Sequence, residues 1–244
     1  LRRRGRRDDV VIATKVSTKP GRTGLAPGNV RTALEESLTR LGTDYVDLYY
    51  AHFDDPNTPL EETVAVFEEL RAAGKTRYVA LSNYAPQRIE QWCAIAASMG
   101  AQPPVALQPH YNLLHRGDVE GPGNRGEVAA AHDMGLVPYF SLAAGFLTGK
   151  YRQGEAATTA RSSMVAEYLR PECFAVVEAL REIAAAHATQ PAAVALTWLR
   201  DRPGVVAPLA SARTVDQLAP ILEALTLELA PQETDRLTLL SDAA

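Results

Sequence analysis

Short apolar runs alternate with longer amphipathic runs along most of the chain. Six short runs are rich in β-branched and aromatic residues and are predicted to be strands: Val10–Val16, Tyr45–His52, Tyr78–Asn83, Ala106–Asn112, Leu136–Leu142 and Val205–Leu209. The first five start about 30 residues apart, which is the size of one strand-helix unit, and the sixth starts about twice as far on. Because these runs are apolar at nearly every position, we expect a parallel sheet buried on both faces.

The longer runs repeat apolar residues at helical spacing, as at Val30, Leu34 and Leu38. Proline opens several of them and glycine follows several ends, which is the usual placement of these residues. The predicted helices are Pro27–Arg40, Leu60–Ala73, Pro86–Met99, Phe174–His187, Pro191–Arg200, Asp216–Ala224 and Pro231–Leu240. A helix after each strand predicts parallel pairing with right-handed crossovers.

Two α/β architectures fit this alternation: an open doubly wound sheet, or part of an eight-stranded barrel. A doubly wound sheet that binds a dinucleotide normally carries Gly-x-Gly-x-x-Gly after its first strand. That turn is absent, since Gly21–Gly24 lacks the third glycine and lies too far from a helix start. The pattern therefore favours the barrel, with two strands unaccounted for.

Composition excludes several functional classes. The 244 residues are 46% hydrophobic and carry a net charge of −4, so nothing favours nucleic acid or an anionic membrane as a partner. No apolar stretch approaches the ~18–20 residues of a membrane span, and no signal peptide is visible. Cys93 and Cys173 are too few and too widely spaced for a disulfide framework, and we expect buried thiols in a reducing compartment. These features predict a cytoplasmic protein.

Lys15 and His52 each stand at the end of a predicted strand, one strand-helix unit apart. Barrel enzymes keep their chemistry at the carboxyl ends of the strands. A lysine and a histidine at that place indicate proton transfer on a carbonyl group. Asp54 and Asp55 follow His52, but no second histidine or cysteine has metal-site spacing, so no metal is predicted.

Other polar residues also mark strand ends, and each has a structural alternative. Ser82 and Asn83 precede a predicted helix and could serve as its cap. Gln108 could be a core amide and Tyr139 a core aromatic. Arg213 lies in Ser-Ala-Arg-Thr before a predicted helix, where it could be exposed or could bind an anion. Together they suggest an extended nicotinamide dinucleotide bound without a Rossmann turn.

Six segments of the sequence resemble the aldo-keto reductase superfamily, in the family's order and over nearly the whole chain. They are Ile12–Lys15, Arg40–Leu48 leading to His52, Gly74–Asn83, Gln108–Leu113, Gly145–Tyr151 and Ser211–Leu218. The resemblance implies one TIM (β/α)8 barrel domain over residues 1–244, here with about six of the eight strands. It implies reduction of aldehydes or ketones with NADPH, and a small-molecule carbonyl substrate.

The resemblance also implies a role for each matching residue. Lys15 and His52 correspond to the family's catalytic lysine and histidine. Ser82, Asn83 and Gln108 correspond to residues that hold the nicotinamide carboxamide, and Tyr139 to the aromatic that stacks on its ring. The matches in the pyrophosphate segment are Leu142, Gly145 and Lys150. Those in the segment for the adenosine 2′-phosphate and ribose, which favours NADP(H), are Ser211, Arg213 and Gln217.

Two departures leave alternatives open. The family's general-acid tyrosine and its aspartate partner lie on the first two barrel strands, and the match here begins at the third. An asparagine that often contacts adenine is replaced by Ile221. Besides a reductase whose tyrosine lies upstream, the chain could be an NADP(H)-binding auxiliary or redox-sensing protein with little turnover, as the family's ion-channel subunits are. It could also be an inactive, truncated remnant.

Overall fold

The computed structural model describes residues 5–154 and 162–244. The chain divides into two compact units. The first unit comprises Leu1–Gln108 and Gly121–Leu136, and the second comprises Pro109–Glu120 and Val137–Ala244. A single domain over residues 1–244 stays a prediction.

A five-stranded parallel sheet forms the first unit. The strands among the described residues are β1 Ala13–Val16, β2 Thr18–Lys19, β3 Arg22–Thr23, β4 Val46–Ala51, β5 Thr76–Ser82, β6 Ala106–Gln108 and β7 Gly135–Leu136. The sheet order is β1-β4-β5-β6-β7, and all neighbours are parallel. β2 and β3 form a short antiparallel hairpin that the apolar pattern did not predict, because its residues are polar. The sheet follows chain order without the reversal of a doubly wound fold, as the barrel prediction requires.

Four helices accompany this sheet: α1 Pro27–Leu41, α2 Leu60–Ala72, α3 Pro86–Met99 and α4 Arg125–Ala131. The first three confirm the predicted helices within one residue at each end. Pro27 opens α1 with its φ already suited to a helix, and Gly42 ends it at φ 65°, a left-handed conformation that glycine adopts without a steric penalty. The sequence pattern missed α4, which has only seven residues.

A row of aromatic rings packs the helices onto the sheet. Tyr49 and Phe67 have ring centroids 5.1 Å apart, Phe67 and Trp92 are 5.5 Å apart, and Tyr84 and Trp92 are 5.8 Å apart. All four rings are at most 1% exposed. The Tyr49 hydroxyl donates to the Val30 carbonyl of α1 at 3.0 Å, which satisfies its polar group. Trp92 is therefore a packing residue.

Three predicted strands are shorter than their apolar runs: Val10–Val16 is a strand only from Ala13, and two others end early. Ala106–Asn112 is a strand only to Gln108, and Leu136–Leu142 only at its start. Pro109 and Pro138 follow closely, and proline has no N–H to donate to a ladder.

The segment predicted as a sixth strand, Val205–Leu209, forms none. Pro208 lies inside it, Val205 forms only an isolated β-bridge, and the Leu209 N–H donates to the Pro138 carbonyl at 2.9 Å. The prediction of a strand there was wrong.

The second unit is largely helical. Its helices are α5 Ser162–Val165, α6 Pro171–Ala186, α7 Pro191–Arg200, α8 Ala219–Glu223 and α9 Pro231–Asp242, with 3-10 turns at Ala143–Thr148 and Ala166–Tyr168. The predicted α6, α7 and α9 are confirmed, whereas α8 is shorter than the predicted Asp216–Ala224. Among the helices of the described residues, none is long and apolar enough to cross a membrane.

Arg116 attaches α9 to the start of the second unit. Its guanidinium donates to Glu120 at 2.6 Å and to the Thr238 carbonyl of α9 at 3.0 Å, and it lies 5.6 Å from the Trp198 ring centroid. The Trp198 indole N–H donates to the Thr238 hydroxyl at 3.0 Å. The buried Trp198 is thus a packing residue with its polar atom satisfied.

Candidate functional site

Lys15 and His52 lie at the same edge of two adjacent strands. β1 and β4 pair in parallel with Lys15 opposite Tyr50, and the His52 N–H donates to the Val16 carbonyl at 3.1 Å. Side chains two residues apart on a strand share a face, so Lys15, Tyr50 and His52 face the same side of the sheet. The structure therefore brings the predicted lysine and histidine together.

Burial lowers the pKa of both groups, Lys15 and His52. The pKa of His52 is lowered first by burial and then by the positive charge of Lys15. The Thr18 hydroxyl lies 3.2 Å from His52 Nδ1, which leaves Nε2 as the ring nitrogen directed to other partners. A neutral imidazole with one engaged nitrogen can donate a hydrogen bond to a carbonyl oxygen or accept one from an alcohol.

Ser82, Asn83 and Gln108 form one hydrogen-bonded group beside His52. The Asn83 amide donates to the His52 carbonyl and to the Ser82 hydroxyl, each at 3.0 Å, and that hydroxyl donates to the Gln108 carbonyl at 2.9 Å. Asn83 has φ 61°, a left-handed conformation that asparagine tolerates better than most residues. These bonds use the Asn83 amide N–H groups, the Ser82 hydroxyl hydrogen and the Gln108 backbone carbonyl within the protein, and the role of the three side chains toward a carboxamide stays a prediction.

The loop after His52 is fixed by its two carboxylates. Asp54 receives two hydrogen bonds from the Arg88 guanidinium of α3, at 2.8 and 2.9 Å. Asp55 accepts from the Leu25 N–H at 2.7 Å. A Cβ on Gly24 would lie 2.8 Å from that carboxylate, so this approach requires glycine. Within the described residues, no three His, Cys, Asp or Glu side chains are grouped to bind a metal.

A column of rings supports Tyr139 in the second unit. The rings of His110 and His115 stack 3.8 Å apart at 8°, and those of His110 and Tyr139 stack 5.4 Å apart at 24°. Phe140 packs edge-on against His110 at 5.2 Å. His110 is not among the site residues predicted from the sequence. The Tyr139 N–H donates to the Pro109 carbonyl, so the segments that follow β6 and β7 remain paired after the strands end. This pairing brings the rings of the column together, and it is not visible in the sequence.

The segment around Gly145 has an unusual backbone. Ala143, Ala144 and Gly145 have φ values of 48°, 54° and 97° in succession. Alanine is strained there, and such strain concentrates at functional sites. A Cβ on Gly145 would lie 3.1 Å from Lys150 Nζ, which is the flexible end of that side chain. Leu142 packs against the buried cluster of Ala193, Leu196 and Ala224.

Ser211, Arg213 and Gln217 are exposed and share a local turn. The Arg213 N–H donates to the Gln217 side-chain oxygen at 2.9 Å. The helix expected to begin at Asp216 begins at Ala219 and has five residues. The expectation of a helix N-terminus next to Arg213 was therefore wrong. An anion bound there would be held by side chains and not by the N–H groups of a helix end.

Comparison with known proteins identifies the family. The sequence profile described as "Aldo/keto reductase family" matches residues 1–242. The chain belongs to the aldo/keto reductase family. The resemblance read from its motifs is thus confirmed, and so is the oxidoreductase class that the family implies.

The relatives of this chain include proteins named as reductases and proteins named as channel subunits. It is 32% identical to "Protein tas" of Escherichia coli (strain K12), over 94% of the chain and 73% of that protein. It is 31% identical to "L-glyceraldehyde 3-phosphate reductase" of Escherichia coli O157:H7, over 90% of the chain and 66% of that protein. It is 30% identical to "Probable voltage-gated potassium channel subunit beta" of Oryza sativa subsp. japonica, over 95% of the chain and 74% of that protein.

Proposed function

We propose that this protein reduces aldehydes or ketones to alcohols with NADPH, on a TIM barrel of aldo-keto reductase type of which these residues supply about six strands. The observation that carries the proposal is the continuous set at the ends of β1, β4, β5 and β6. There Lys15 and His52 share one sheet face, and Asn83 ties the His52 backbone to Ser82. Carbonyl reduction needs a proton-handling pair beside groups that orient a carboxamide.

The residues of the chain divide the work of the reaction. The bound nicotinamide supplies the hydride to the carbonyl carbon. His52 Nε2 would donate a hydrogen bond that orients the carbonyl, while Ser82, Asn83 and Gln108 would hold the carboxamide. The Lys15 ammonium lowers the pKa of the proton donor through its charge. We propose that this donor is a tyrosine outside these 244 residues.

The other cofactor contacts and the setting are also proposals. Tyr139 stacks on the nicotinamide ring, with its own ring already supported by His110. The proposed pyrophosphate contacts are Leu142, Gly145 and Lys150, and the proposed 2′-phosphate and ribose contacts are Ser211, Arg213 and Gln217. Cys93 and Cys173 are buried and free, which supports a cytoplasmic setting. No nucleic-acid or membrane partner is proposed.

A relative named for the reduction of an aldehyde supports this substrate class. The alternative is an NADP(H)-binding auxiliary or redox-sensing protein with little turnover, which the relatives named as channel β subunits support. An inactive remnant would bind no cofactor at all.

The test is NADPH consumption by the full polypeptide with a panel of aldehydes and ketones, alongside cofactor binding by calorimetry. Lys15→Met should lower kcat about 100-fold or more while NADPH still binds. Lys75→Met is the matched control, because Lys75 pairs with Glu35 near the surface. Binding without consumption would favour the auxiliary protein, and absence of binding would refute both functions.

A further inference from the structure

Tyr50 lies directly against the ammonium of Lys15. The two residues are paired across β1 and β4, and Lys15 Nζ lies 5.1 Å from the centroid of the Tyr50 ring. A cation within about 6 Å of an aromatic face is attracted by the ring quadrupole, and more strongly where water is excluded. The Tyr50 side chain is fully buried and Lys15 is partly buried, so this contact is partly shielded from solvent.

The other charged groups around Lys15 do not replace this contact. On β4 the titratable neighbours are Tyr50 and His52, and neither is a carboxylate. The charged residues that border a shared cavity from the hairpin and α1 are Lys19, Arg22, Glu36 and Arg40. Glu36, their one carboxylate, already lies within 2.6, 3.0 and 3.5 Å of Lys19, Arg22 and Arg40. Burial lowers the pKa of Lys15, and no ion pair in the described residues offsets it.

Packing alone does not explain why a hydroxyl group is buried at Tyr50. It is buried and has no partner at hydrogen-bonding geometry among the described residues. Burial raises its pKa, and the Gln108 side chain acts on it in the opposite direction. A raised pKa makes this phenol a poor acid, so the ring, and not the hydroxyl, is the part that bears on Lys15.

We propose that Tyr50 is a positioning residue whose ring supports the Lys15 ammonium at the edge of the sheet. Tyr50 acts through Lys15 and does not touch the reacting atoms. The consequence for turnover rests on the proposed function, whereas the contact itself does not. Loss of the ring should favour the neutral amine.

The direct test is the titration of Lys15 without cofactor. These 244 residues contain four lysines, Lys15, Lys19, Lys75 and Lys150. NMR of isotope-labelled dimethyl-lysines in the full polypeptide follows each titration, and Lys15→Arg assigns the signal of Lys15. Tyr50→Leu should lower the pKa of Lys15 by about half a unit to one unit, as expected for a lost cation–π contact. Tyr50→Phe keeps the ring and should leave this pKa within a few tenths of a unit.

Tyr49→Leu is the matched control. Tyr49 is equally buried on the same strand, but its side chain faces α1. An unchanged Lys15 pKa in Tyr50→Leu, or an equal fall in Tyr49→Leu, would overturn the proposal. If Tyr50→Leu does not fold, Tyr50→Met applies the same criterion with less change in volume.

Turnover separates this inference from the proposed function. In an active reductase, the alkaline limb of kcat/KM should move to lower pH in Tyr50→Leu, while the KM for NADPH stays unchanged. A shifted titration in a protein that turns over no carbonyl would leave the positioning role intact and refute the reductase. A moved pH limb with an unmoved Lys15 titration would refute the positioning role alone.

Discussion

Replacing His110 with phenylalanine should make the protein less sensitive to acid. Burial first, and then the charge of His115, lowers the pKa of His110 to about 4. The Asn112 amide also disfavours protonation of His110. Its oxygen accepts from the Leu114 N–H at 2.8 Å, so its nitrogen faces His110 Nε2 at 3.3 Å and donates to it. A proton on Nε2 would set two donors against each other.

The sign follows from the difference between the two states. The pKa of histidine is about 6.5 in an unfolded chain, so at pH 4 to 6.5 the unfolded state binds the proton more tightly than the folded state. The stabilising contribution of neutral His110 is complete above pH about 6.5 and is lost as pH falls toward about 4. The loss amounts to about 2 kcal/mol by pH about 5. The ring is partly exposed, so this is an upper value.

Urea unfolding of wild type and His110→Phe between pH about 7 and about 5 measures this contribution. Phenylalanine preserves a flat ring between His115 and Tyr139 but cannot titrate. Subtracting the pH dependence of one protein from that of the other cancels the contribution of the carboxylates. His132→Phe is the control, because it removes a histidine that pairs with Glu90 near the surface. The wild type should lose about 1–2 kcal/mol more than His110→Phe over this range. Parallel losses in the two proteins would refute the reasoning.

Three further substitutions test structural contacts by denaturant unfolding. Arg116→Met should lower the free energy of unfolding by about 2–4 kcal/mol, because it removes the ion pair with the half-buried Glu120; a change under about 1 kcal/mol would contradict this. Ala144→Gly should raise it by about 0.5–1 kcal/mol by relieving the strain of φ 54°, and any loss would count against that strain. Gly24→Ala should lower it by about 1–3 kcal/mol, because its Cβ would meet Asp55 at φ 78°; an unchanged midpoint would contradict the contact.

Much of the candidate site was accessible from the sequence because its signals are local. Lys15 and His52 end apolar runs, and the carboxyl ends of neighbouring parallel strands share one sheet edge. The same rule placed Ser82 and Gln108 at the ends of the next two strands, and their hydrogen bond confirms that neighbourhood. Their roles toward a cofactor remain predictions.

Tyr50 and His110 were missed for a different reason. Strand alternation from His52 could have placed Tyr50 on the same face, but its contact with Lys15 depends on the register between β1 and β4. The His110 column depends on the pairing of two segments that lie about 30 residues apart in the chain. Composition and periodicity carry no information about such pairings.

The sequence by itself determined the family, the order of strands and helices, and which strand ends carry polar groups. These follow from periodicity and short motifs, which are properties of neighbouring residues. Only the tertiary structure decided where strands stop, as at Pro109, and that Val205–Leu209 forms no continuous strand. It alone set the burial of Lys15 and His110, because desolvation depends on what the rest of the chain packs around each group.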